Sequence, residues 1–195
     1  MAKYYAVKNG RKPGIYSSWD ECKAQVEKFK GAIYKSFTNL KEAEAFIKEE
    51  KVVFDGGLIA YVDGSYNVKS HEYGFGCVMI EEQKVIKEMY GKGNDENYVA
   101  MRNVAGEILG SICAMEYALN HGYEGVCIYY DYEGIEKWAN GNWKANKIGT
   151  QEYQQKVKEY RQKIKIAFVK VLAHSGDFYN ERADQLAKKA VGING

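Results

Sequence analysis

Four acidic residues occupy positions from which their side chains could meet. Asp63 lies inside an apolar, strand-like run and Asp131 directly follows another such run. Glu107 lies in a helical pattern beside a stripe of glycine and alanine, and Asp184 lies in the first turns of a final helical pattern. Because the carboxyl ends of neighbouring strands meet at one edge of an open α/β sheet, the two aspartates are expected to converge. Oxygen-rich clusters bind Mg²⁺ or Mn²⁺ rather than zinc, and the chemistry implied is phosphodiester hydrolysis.

Each acid also has a structural explanation when it is taken alone. Asp63 precedes a glycine, as in an Asp-Gly turn at the end of a strand. Asp131 precedes a helical pattern and could cap that helix. Glu107 could reach water or meet a cation, and a helix dipole would favour Asp184 without any function. The combination favours a metal site, because several neighbouring carboxylates repel one another unless a divalent cation is present.

The segments that must position these acids alternate in a recognisable order. Hydrophobic periodicity and turn residues predict strands over 58–65, 73–82, 84–93, 125–131 and 165–174, and helices over 99–120, 132–140, 152–164 and 180–190. Three consecutive strands followed by alternating helices and strands indicate an antiparallel hairpin set joined to a partly parallel sheet. The predicted fold class is therefore α/β (α+β), with helices on the faces of the sheet.

The long helix has two distinct stripes. Its apolar positions step by three or four residues, and its small residues form an adjacent stripe with steps of four. The apolar stripe is Val104, Ile108, Ile112, Met115 and Leu119, and the small stripe is Gly106, Gly110, Ala114 and Ala118. The small stripe predicts that this helix approaches the sheet closely.

A smaller module precedes the large one. Residues 4–47 show three short strand patterns and two helical patterns, the first of which begins after Ser18 with Glu21 at capping-box spacing. The second helical pattern begins at Asn39. We therefore predict a module over residues 1–47, a short linker over 48–57 and a larger domain over 58–195.

Composition excludes several classes of function. The overall balance of 28 basic and 26 acidic residues is nearly neutral, but Lys and Arg are in excess over residues 1–38 and 135–170. Such basic regions suit a polyanion, although they are also common on solvated faces. The four cysteines are scattered among apolar neighbours, which makes disulfides and zinc binding improbable. No run of about 20 apolar residues and no secretory pattern at the start is present, so we expect a cytoplasmic protein without membrane contact.

The order of these motifs resembles cellular ribonuclease H of the type-one class. The resemblance is carried by YVDGS, RNVAGEILGSICAMEYAL, IYYDYEGIEKW and HSGDFYNERADQLAKKA, and it covers residues 58–191. The segments YYAVKNGRKPGIYSSWDEC and AIYKSF look like the hybrid-binding domain found on many such enzymes. The resemblance implies a ribonuclease H-like five-stranded mixed sheet flanked by helices, plus a small three-stranded module.

The resemblance also implies a mechanism. Asp63, Glu107, Asp131 and Asp184 would bind two Mg²⁺ ions, with Mn²⁺ as a possible substitute, and His174 would assist proton transfer or product release. The activity implied is endonucleolytic hydrolysis of the RNA strand of an RNA/DNA hybrid, with 5′-phosphate and 3′-hydroxyl products. No obligate protein partner is implied.

The resemblance implies six candidates for contact with nucleic acid, and the four in the small module match positions that touch the hybrid in the family. These are Tyr5, Trp19, Tyr34 and Lys35 in the small module, and Asn103 and Trp138 in the larger domain. Trp19 and Tyr34 would contact DNA sugars, Lys35 a phosphate, Asn103 the minor groove and Trp138 a deoxyribose. Both tryptophans could instead be core residues.

Several departures from the family pattern limit the transfer of these roles. The loop after Asp63 lacks the usual Asn-Pro-Gly type, Tyr132 replaces a small hydroxyl residue, Val104 replaces an amide, and Ser36 replaces a second lysine. Two other functions therefore remain open: a catalytically weak protein that binds hybrids or double-stranded RNA, and a nuclease that acts on DNA junctions or ends. The four intact acids argue against the first, and the hybrid-binding motif argues against the second.

Overall fold

A computed structural model describes residues 3–48, 57–171 and 177–193 of the chain. The chain divides into two compact units, Met1–Lys51 and Val52–Gly195. His174 lies outside the described residues, as does the end of the strand predicted over 165–174. No helix within the described ranges has the length and apolar character needed to cross a membrane.

The first unit contains the three strands and two helices that its sequence predicts. They are β1 (Tyr4–Asn9), β2 (Gly14–Tyr16), α1 (Trp19–Val26), β3 (Ile33–Phe37) and α2 (Leu40–Lys48). The strands form an antiparallel sheet in the order β2-β1-β3. Its small core joins Val7 of β1 to Cys22 and Val26 of α1.

Side-chain caps fix where the two helices of the first unit begin. Ser18 Oγ accepts a hydrogen bond from the Glu21 backbone N–H at 3.3 Å, and Glu21 Oε2 accepts one from the Ser18 N–H at 3.2 Å. These two bonds confirm the predicted capping box. Asn39 Oδ1 accepts a bond from the Lys41 N–H at 2.8 Å at the start of α2. Caps of this kind satisfy backbone donors that the first turn of a helix leaves unpaired.

The second unit is a five-stranded mixed sheet with helices on both faces. Its elements are β4 (Leu58–Asn67), β5 (Glu72–Glu81), β6 (Lys84–Gly93), α3 (Glu96–Val99), α4 (Asn103–Asn120), β7 (Gly125–Tyr130), α5 (Gly134–Ala139), α6 (Ile148–Tyr160), β8 (Lys165–Lys170) and α7 (Phe178–Ala190). The strand order is β6-β5-β4-β7-β8. The first three strands are antiparallel, whereas β4, β7 and β8 are parallel. The predicted fold class and mixed sheet are confirmed.

The hairpin between β5 and β6 turns on Glu82 and Gln83. Both residues have positive φ angles, of 46° and 65°. Two consecutive positive φ angles match the twist of the flanking strands in a tight hairpin. The strand predicted to end at residue 82 therefore ends at Glu81, and Lys84 opens β6 as predicted.

The long helix was predicted to begin at Val99, and this boundary is wrong. The structure has a separate short helix that ends at Val99, and α4 begins only at Asn103. Arg102 between them has a φ of 52°, which a continuous right-handed helix excludes. A break in backbone conformation of this kind leaves no trace in hydrophobic periodicity.

Two further helices begin earlier than predicted because of their caps. Thr150 Oγ1 accepts a bond from the Lys147 N–H at 3.2 Å, and α6 begins at Ile148. Asp177 Oδ1 accepts bonds from the Tyr179 and Asn180 N–H groups, and α7 begins at Phe178. The apolar pattern begins inside each helix, so periodicity alone places each boundary too late.

Glycines let the backbones of α4 and α7 pack directly against the backbone of the sheet, on opposite faces. A Cβ atom added to Gly106 of α4 would lie 1.8 Å from the carbonyl oxygen of Gly74 on β5. A Cβ atom added to Gly64 of β4 would lie 1.9 Å from the carbonyl oxygen of Asn103. On the other face, a Cβ atom added to Gly76 of β5 would lie 2.0 Å from the carbonyl oxygen of Ala183 on α7. The predicted close approach of the small-residue stripe is confirmed.

Gly106→Ala is expected to lower the free energy of unfolding of the second unit by about 3 kcal/mol, because the new methyl group would overlap a backbone oxygen that cannot rotate away. Gly110→Ala is the matched control on the same helix, since its added Cβ atom would lie 3.3 Å from the side chain of Val62 and 3.4 Å from the carbonyl oxygen of Gly76, without the overlap found at Gly106. Thermal or urea unfolding of both variants tests the packing. Equal midpoints for the two variants would contradict the close approach of α4 at Gly106.

Candidate active site

The two strand aspartates lie at the same level on neighbouring parallel strands. The pairing of β4 with β7 ends at Tyr61 opposite Tyr129, and Asp63 and Asp131 each lie two residues beyond that pair. Asp131 comes directly after the last residue of β7. The carboxyl ends of the two strands therefore bring both side chains to one edge of the parallel part of the sheet, as the sequence predicted.

The structural explanations for these aspartates do not hold. Asp63 is not in a turn, because β4 continues without interruption to Asn67 and pairs Asp63 with Gly76 of β5. Asp131 is not the cap of α5, whose capping position is Glu133. The glycine after Asp63 serves packing instead, since Gly64 lets α4 approach β4.

Glu107 is a buried carboxylate that connects α4 to the end of β7. It is 1% exposed, and its Oε1 accepts hydrogen bonds from the backbone N–H groups of Asp131 and Tyr132, both at 3.2 Å. Burial, followed by the charge of Asp131, raises the pKa of Glu107 well above its usual range, and the two N–H donors oppose this rise. The sequence predicted water or a cation as the partner of Glu107, whereas the structure supplies backbone donors.

Asp184 faces the same site from α7 and carries a partner that the sequence analysis missed. Lys188, one turn later on α7, places its Nζ 2.6 Å from Asp184 Oδ2. The i,i+4 spacing of the two residues is visible in the sequence and could have indicated this ion pair. Asp184 lies in the second turn of α7, too far from its start for the helix dipole to be the main reason for its position.

Crowding of negative charge sets the electrostatics of the site. Burial, together with the neighbouring charge of Asp131, raises the pKa of Asp63 to about 7. The hydrogen bond from the Gly64 N–H to Asp63 Oδ1, at 2.7 Å, opposes this rise. Asp184 adds a smaller increase, and Lys188 lowers the pKa. Each of the four acids is therefore an electrostatic neighbour of at least one of the others.

The donor atoms of the site fit a hard divalent cation. They are all carboxylate oxygens, which is the ligand type that Mg²⁺ and Mn²⁺ prefer. As placed, no three His, Cys, Asp or Glu side chains of the described residues lie close enough to hold a metal ion together. Glu107 is directed to backbone donors and Asp184 to Lys188, which accounts for part of this separation. Binding of a cation would therefore require these carboxylates to draw together.

Asn180 has the one buried side-chain atom without a hydrogen-bond partner in the described part of the chain. It is 5% exposed, its Oδ1 accepts no bond, and it lies one helical turn before Asp184. A buried acceptor without a partner is costly, and it is commonly satisfied by a water molecule or an ion. The residue gave no signal in the sequence analysis.

An aromatic and basic groove lies beside the acids. It encloses about 360 Å³ and is lined by Ala100, Met101, Val104, Tyr132, Trp138, Lys144, Asn146, Lys147 and Thr150. Trp138 is half-buried and packs against Tyr132 and Trp143, with ring centroids 5.9 and 5.8 Å away. It therefore belongs partly to the core and partly to the groove wall. The lysines of the groove belong to the basic region over 135–170, but the sequence does not show on which face a loop presents its charges.

Asn103, the remaining candidate of the second unit, is exposed at the first position of α4. It lies one turn before Glu107 on the same helix, as the sequence predicted.

In the first unit, three of the four candidate residues form a single aromatic cluster. The ring centroid of Trp19 lies 5.8 Å from those of both Tyr5 and Tyr34. Trp19 is 43% exposed and Tyr34 is 45% exposed, so neither is a core residue. Lys35 lies apart, because side chains alternate along β3 and its Nζ lies over the Phe37 ring, at 5.4 Å from the ring centroid.

The fold and the arrangement of acids define a protein of the ribonuclease H class. The family model described as RNase H matches residues 55–192, and the model described as Ribonuclease H1 N-terminal domain matches residues 3–47. The first match covers most of the chain. The chain belongs to the ribonuclease H family.

Individual relatives match parts of the chain. Ribonuclease H of Saccharomyces cerevisiae is 39% identical over 64 residues, which is 33% of this chain and 18% of the yeast protein. The chain therefore spans less than two thirds of the length of that relative. Ribonuclease H of Clostridium botulinum is 27% identical over 144 residues, which is 69% of this chain and 95% of the relative. The solved structure of LC11-RNase H1 in complex with RNA/DNA hybrid shares the fold, with a TM-score of 0.58, 21% identity and coverage of 69% of this chain and 96% of that one.

The raised pKa of Asp63 makes stability depend on pH. The folded state favours the protonated carboxyl group, so its stabilising contribution is complete below about pH 4 and is lost as the pH rises through about 7. In the presence of a chelator, Asp63→Asn is expected to raise the free energy of unfolding at pH 8 by about 1–3 kcal/mol and to flatten its decline between pH 5 and 8. Urea unfolding at several pH values measures both effects.

Glu124→Gln is the control for that measurement, because Glu124 is an exposed acid of the same unit outside the site. It should leave the dependence on pH unchanged. The electrostatic account fails if the free energy of unfolding declines equally with pH in the two variants.

Proposed function

We propose that the chain is an endonuclease that hydrolyses the RNA strand of RNA/DNA hybrids. The observation that carries this proposal is the placement of Asp63 and Asp131 at the same level of neighbouring parallel strands, with Glu107 bonded to the end of β7, in a chain of the ribonuclease H family. Relatives named Ribonuclease H and the hybrid bound to LC11-RNase H1 support the choice of substrate.

The four acids would hold two Mg²⁺ ions, or Mn²⁺ in their place. When bound, the ions would stabilise the attacking and leaving oxygens of an in-line displacement at phosphorus. Cleavage between the phosphorus and the 3′ oxygen would leave a 3′-hydroxyl and a 5′-phosphate. His174 is proposed, from its place in the sequence motif, to assist proton transfer to the leaving group or the release of product.

The protein contributes rigid placement of its carboxylates. Asp63 lies within a continuous strand that is paired on both sides up to Tyr61, so its backbone cannot shift without breaking the sheet. The two N–H donors of Asp131 and Tyr132 fix the orientation of Glu107. Fixed ligands of this kind reduce the reorganisation that the reaction requires.

The groove beside the acids is the proposed path of the DNA strand. Trp138 offers an aromatic face for a deoxyribose, and Lys144 and Lys147 offer positive charge for phosphates. Asn103, exposed at the start of α4, is proposed to contact the minor groove, where the 2′-hydroxyl groups distinguish RNA from DNA. Val104 lines the same groove in place of an amide and reduces the number of polar contacts available there.

The first unit is proposed to be a separate site that binds the hybrid. Its exposed aromatic cluster of Tyr5, Trp19 and Tyr34 suits stacking against sugars without reading a base sequence. Lys35 remains the candidate for a phosphate contact, but it would approach the duplex from the side of Phe37 rather than from within the aromatic cluster.

The catalytic proposal predicts selective cleavage. With Mg²⁺, the protein should cut the RNA strand of a labelled hybrid and leave duplex DNA and duplex RNA intact. Asp131→Asn should reduce the rate by about 1,000-fold or more, because it removes a proposed ligand with little change in shape. Glu124→Gln should cut at the rate of the unaltered protein. Retained cleavage by Asp131→Asn, or cleavage in the presence of a chelator, would contradict the proposal.

The binding site proposed for the first unit predicts a loss of affinity for the hybrid when the aromatic cluster is altered. Trp19→Ala should weaken binding of a hybrid about 5- to 100-fold, as expected from the loss of one aromatic stacking contact. Ile33→Ala is the control, because Ile33 is 46% exposed on the same sheet but has no place in the aromatic cluster. Binding is measured by fluorescence anisotropy in a chelator, so that no cleavage intervenes. The assignment of this site fails if both variants bind equally well.

A further inference from the structure

The ion pair between Lys188 and Asp184 differs from the other pairs of the same spacing. The pairs of Lys23 with Glu27, Lys137 with Glu133 and Lys163 with Glu159 have N–O distances of 3.9, 3.8 and 3.5 Å, and their acids are 49–55% exposed. The pair of Lys188 with Asp184 measures 2.6 Å, and its acid is 26% exposed. It is a close, partly buried contact rather than a loose surface pair.

Lys188 also acts beyond its direct partner. Its charge lowers the pKa of Asp63, which lies on β4 rather than on α7. Asp131 and Asp184 raise the pKa of Asp63. Lys188 therefore provides positive charge where three carboxylates repel one another. The neighbouring Lys189 is directed elsewhere, with its Nζ 4.7 Å from the centroid of the Tyr90 ring on β6.

We propose that Lys188 is an intramolecular counter-cation of the carboxylate site, which holds Asp184 Oδ2 in the absence of a divalent cation and must release that oxygen when one binds. This inference rests on the proposed metal site. The ammonium group and a divalent cation would compete for the same oxygen and would repel each other at the same edge of the sheet. Lys188 thereby limits the affinity of the site for cations and stabilises the acids without one.

The consequence is an exchange of one cation for another. Without a divalent cation, Lys188 holds Asp184 Oδ2 in an ion pair along α7, at 2.6 Å. With one bound, Asp184 is free to draw towards Asp63, and the lysine moves towards solvent, to which it is already 35% exposed. The flexible stem of a lysine permits this movement, because it does not require any change in the backbone.

A cation titration followed by thermal unfolding tests this exchange. A ligand that binds only the folded state raises its melting temperature as the ligand concentration rises. The full chain and its variants are titrated with MgCl₂ at pH 8 and constant ionic strength. Lys188→Met and Lys188→Gln are each expected to lower the Mg²⁺ concentration for half-maximal stabilisation by roughly tenfold. Both should also melt at a lower temperature than the unaltered protein in a chelator.

Two controls separate this effect from a general change of charge. Lys189→Met removes the same charge from the adjacent position and should leave the Mg²⁺ midpoint unchanged. Lys188→Arg keeps the positive charge and should stay within about twofold of the unaltered protein.

The outcomes distinguish this inference from the proposed function. If Mg²⁺ stabilises every protein with the same midpoint, or if loss of Lys188 weakens binding, the role of Lys188 is overturned while the metal site stands. A midpoint that falls equally in Lys188→Met and Lys189→Met also overturns it. If Mg²⁺ stabilises none of the proteins, the metal site itself fails and this inference fails with it.

Discussion

The close approach of two helices to one sheet is the constraint on which the site depends. Gly64 and Gly106 let the backbone of α4 touch β4 and β5, and Gly74 and Gly76 let α7 touch β5 from the other face. At these distances the helix backbones lie directly against the sheet, so the side chains of α4 and α7 that face the sheet begin at its surface. Glu107 is thereby buried against the end of β7, and Asp184 reaches the electrostatic neighbourhood of Asp63.

The cost of placing these acids near one another is charge repulsion, and three of the four relieve it in different ways. Glu107 accepts two backbone N–H groups, Asp184 pairs with Lys188, and Asp63 shifts its pKa to about 7. None of these solutions draws three carboxylates around one point, as the described residues show. The site therefore carries an excess of negative charge, which a divalent cation can neutralise better than one lysine. In the proposed function, affinity for metal and stability of the fold would be linked through the same four residues.

The two units divide the work of recognition and chemistry in the proposed function. The first offers exposed aromatic rings on a small sheet with a core of few residues, and the second offers buried acids beside an aromatic and basic groove. Aromatic rings contact sugars and bases without sequence preference, whereas fixed carboxylates require one phosphate to be placed accurately. Affinity and turnover can then be altered separately, which distinguishes this arrangement from one in which a single groove performs both tasks.

The sequence by itself predicted most of the elements, their order and the fold class, and it singled out the four acids, because periodicity, caps and motif order are local properties of the chain. It placed the start of α4 four residues too early, since the positive φ of Arg102 leaves hydrophobic periodicity unchanged. It could not show that Glu107 accepts bonds from the end of β7, that Lys35 lies apart from the aromatic cluster or that lysines line the groove. Those facts depend on which residues from distant segments become neighbours. Only the tertiary structure decided them, because contact between distant segments is fixed by the packing of helices on the sheet and by the register of its strands.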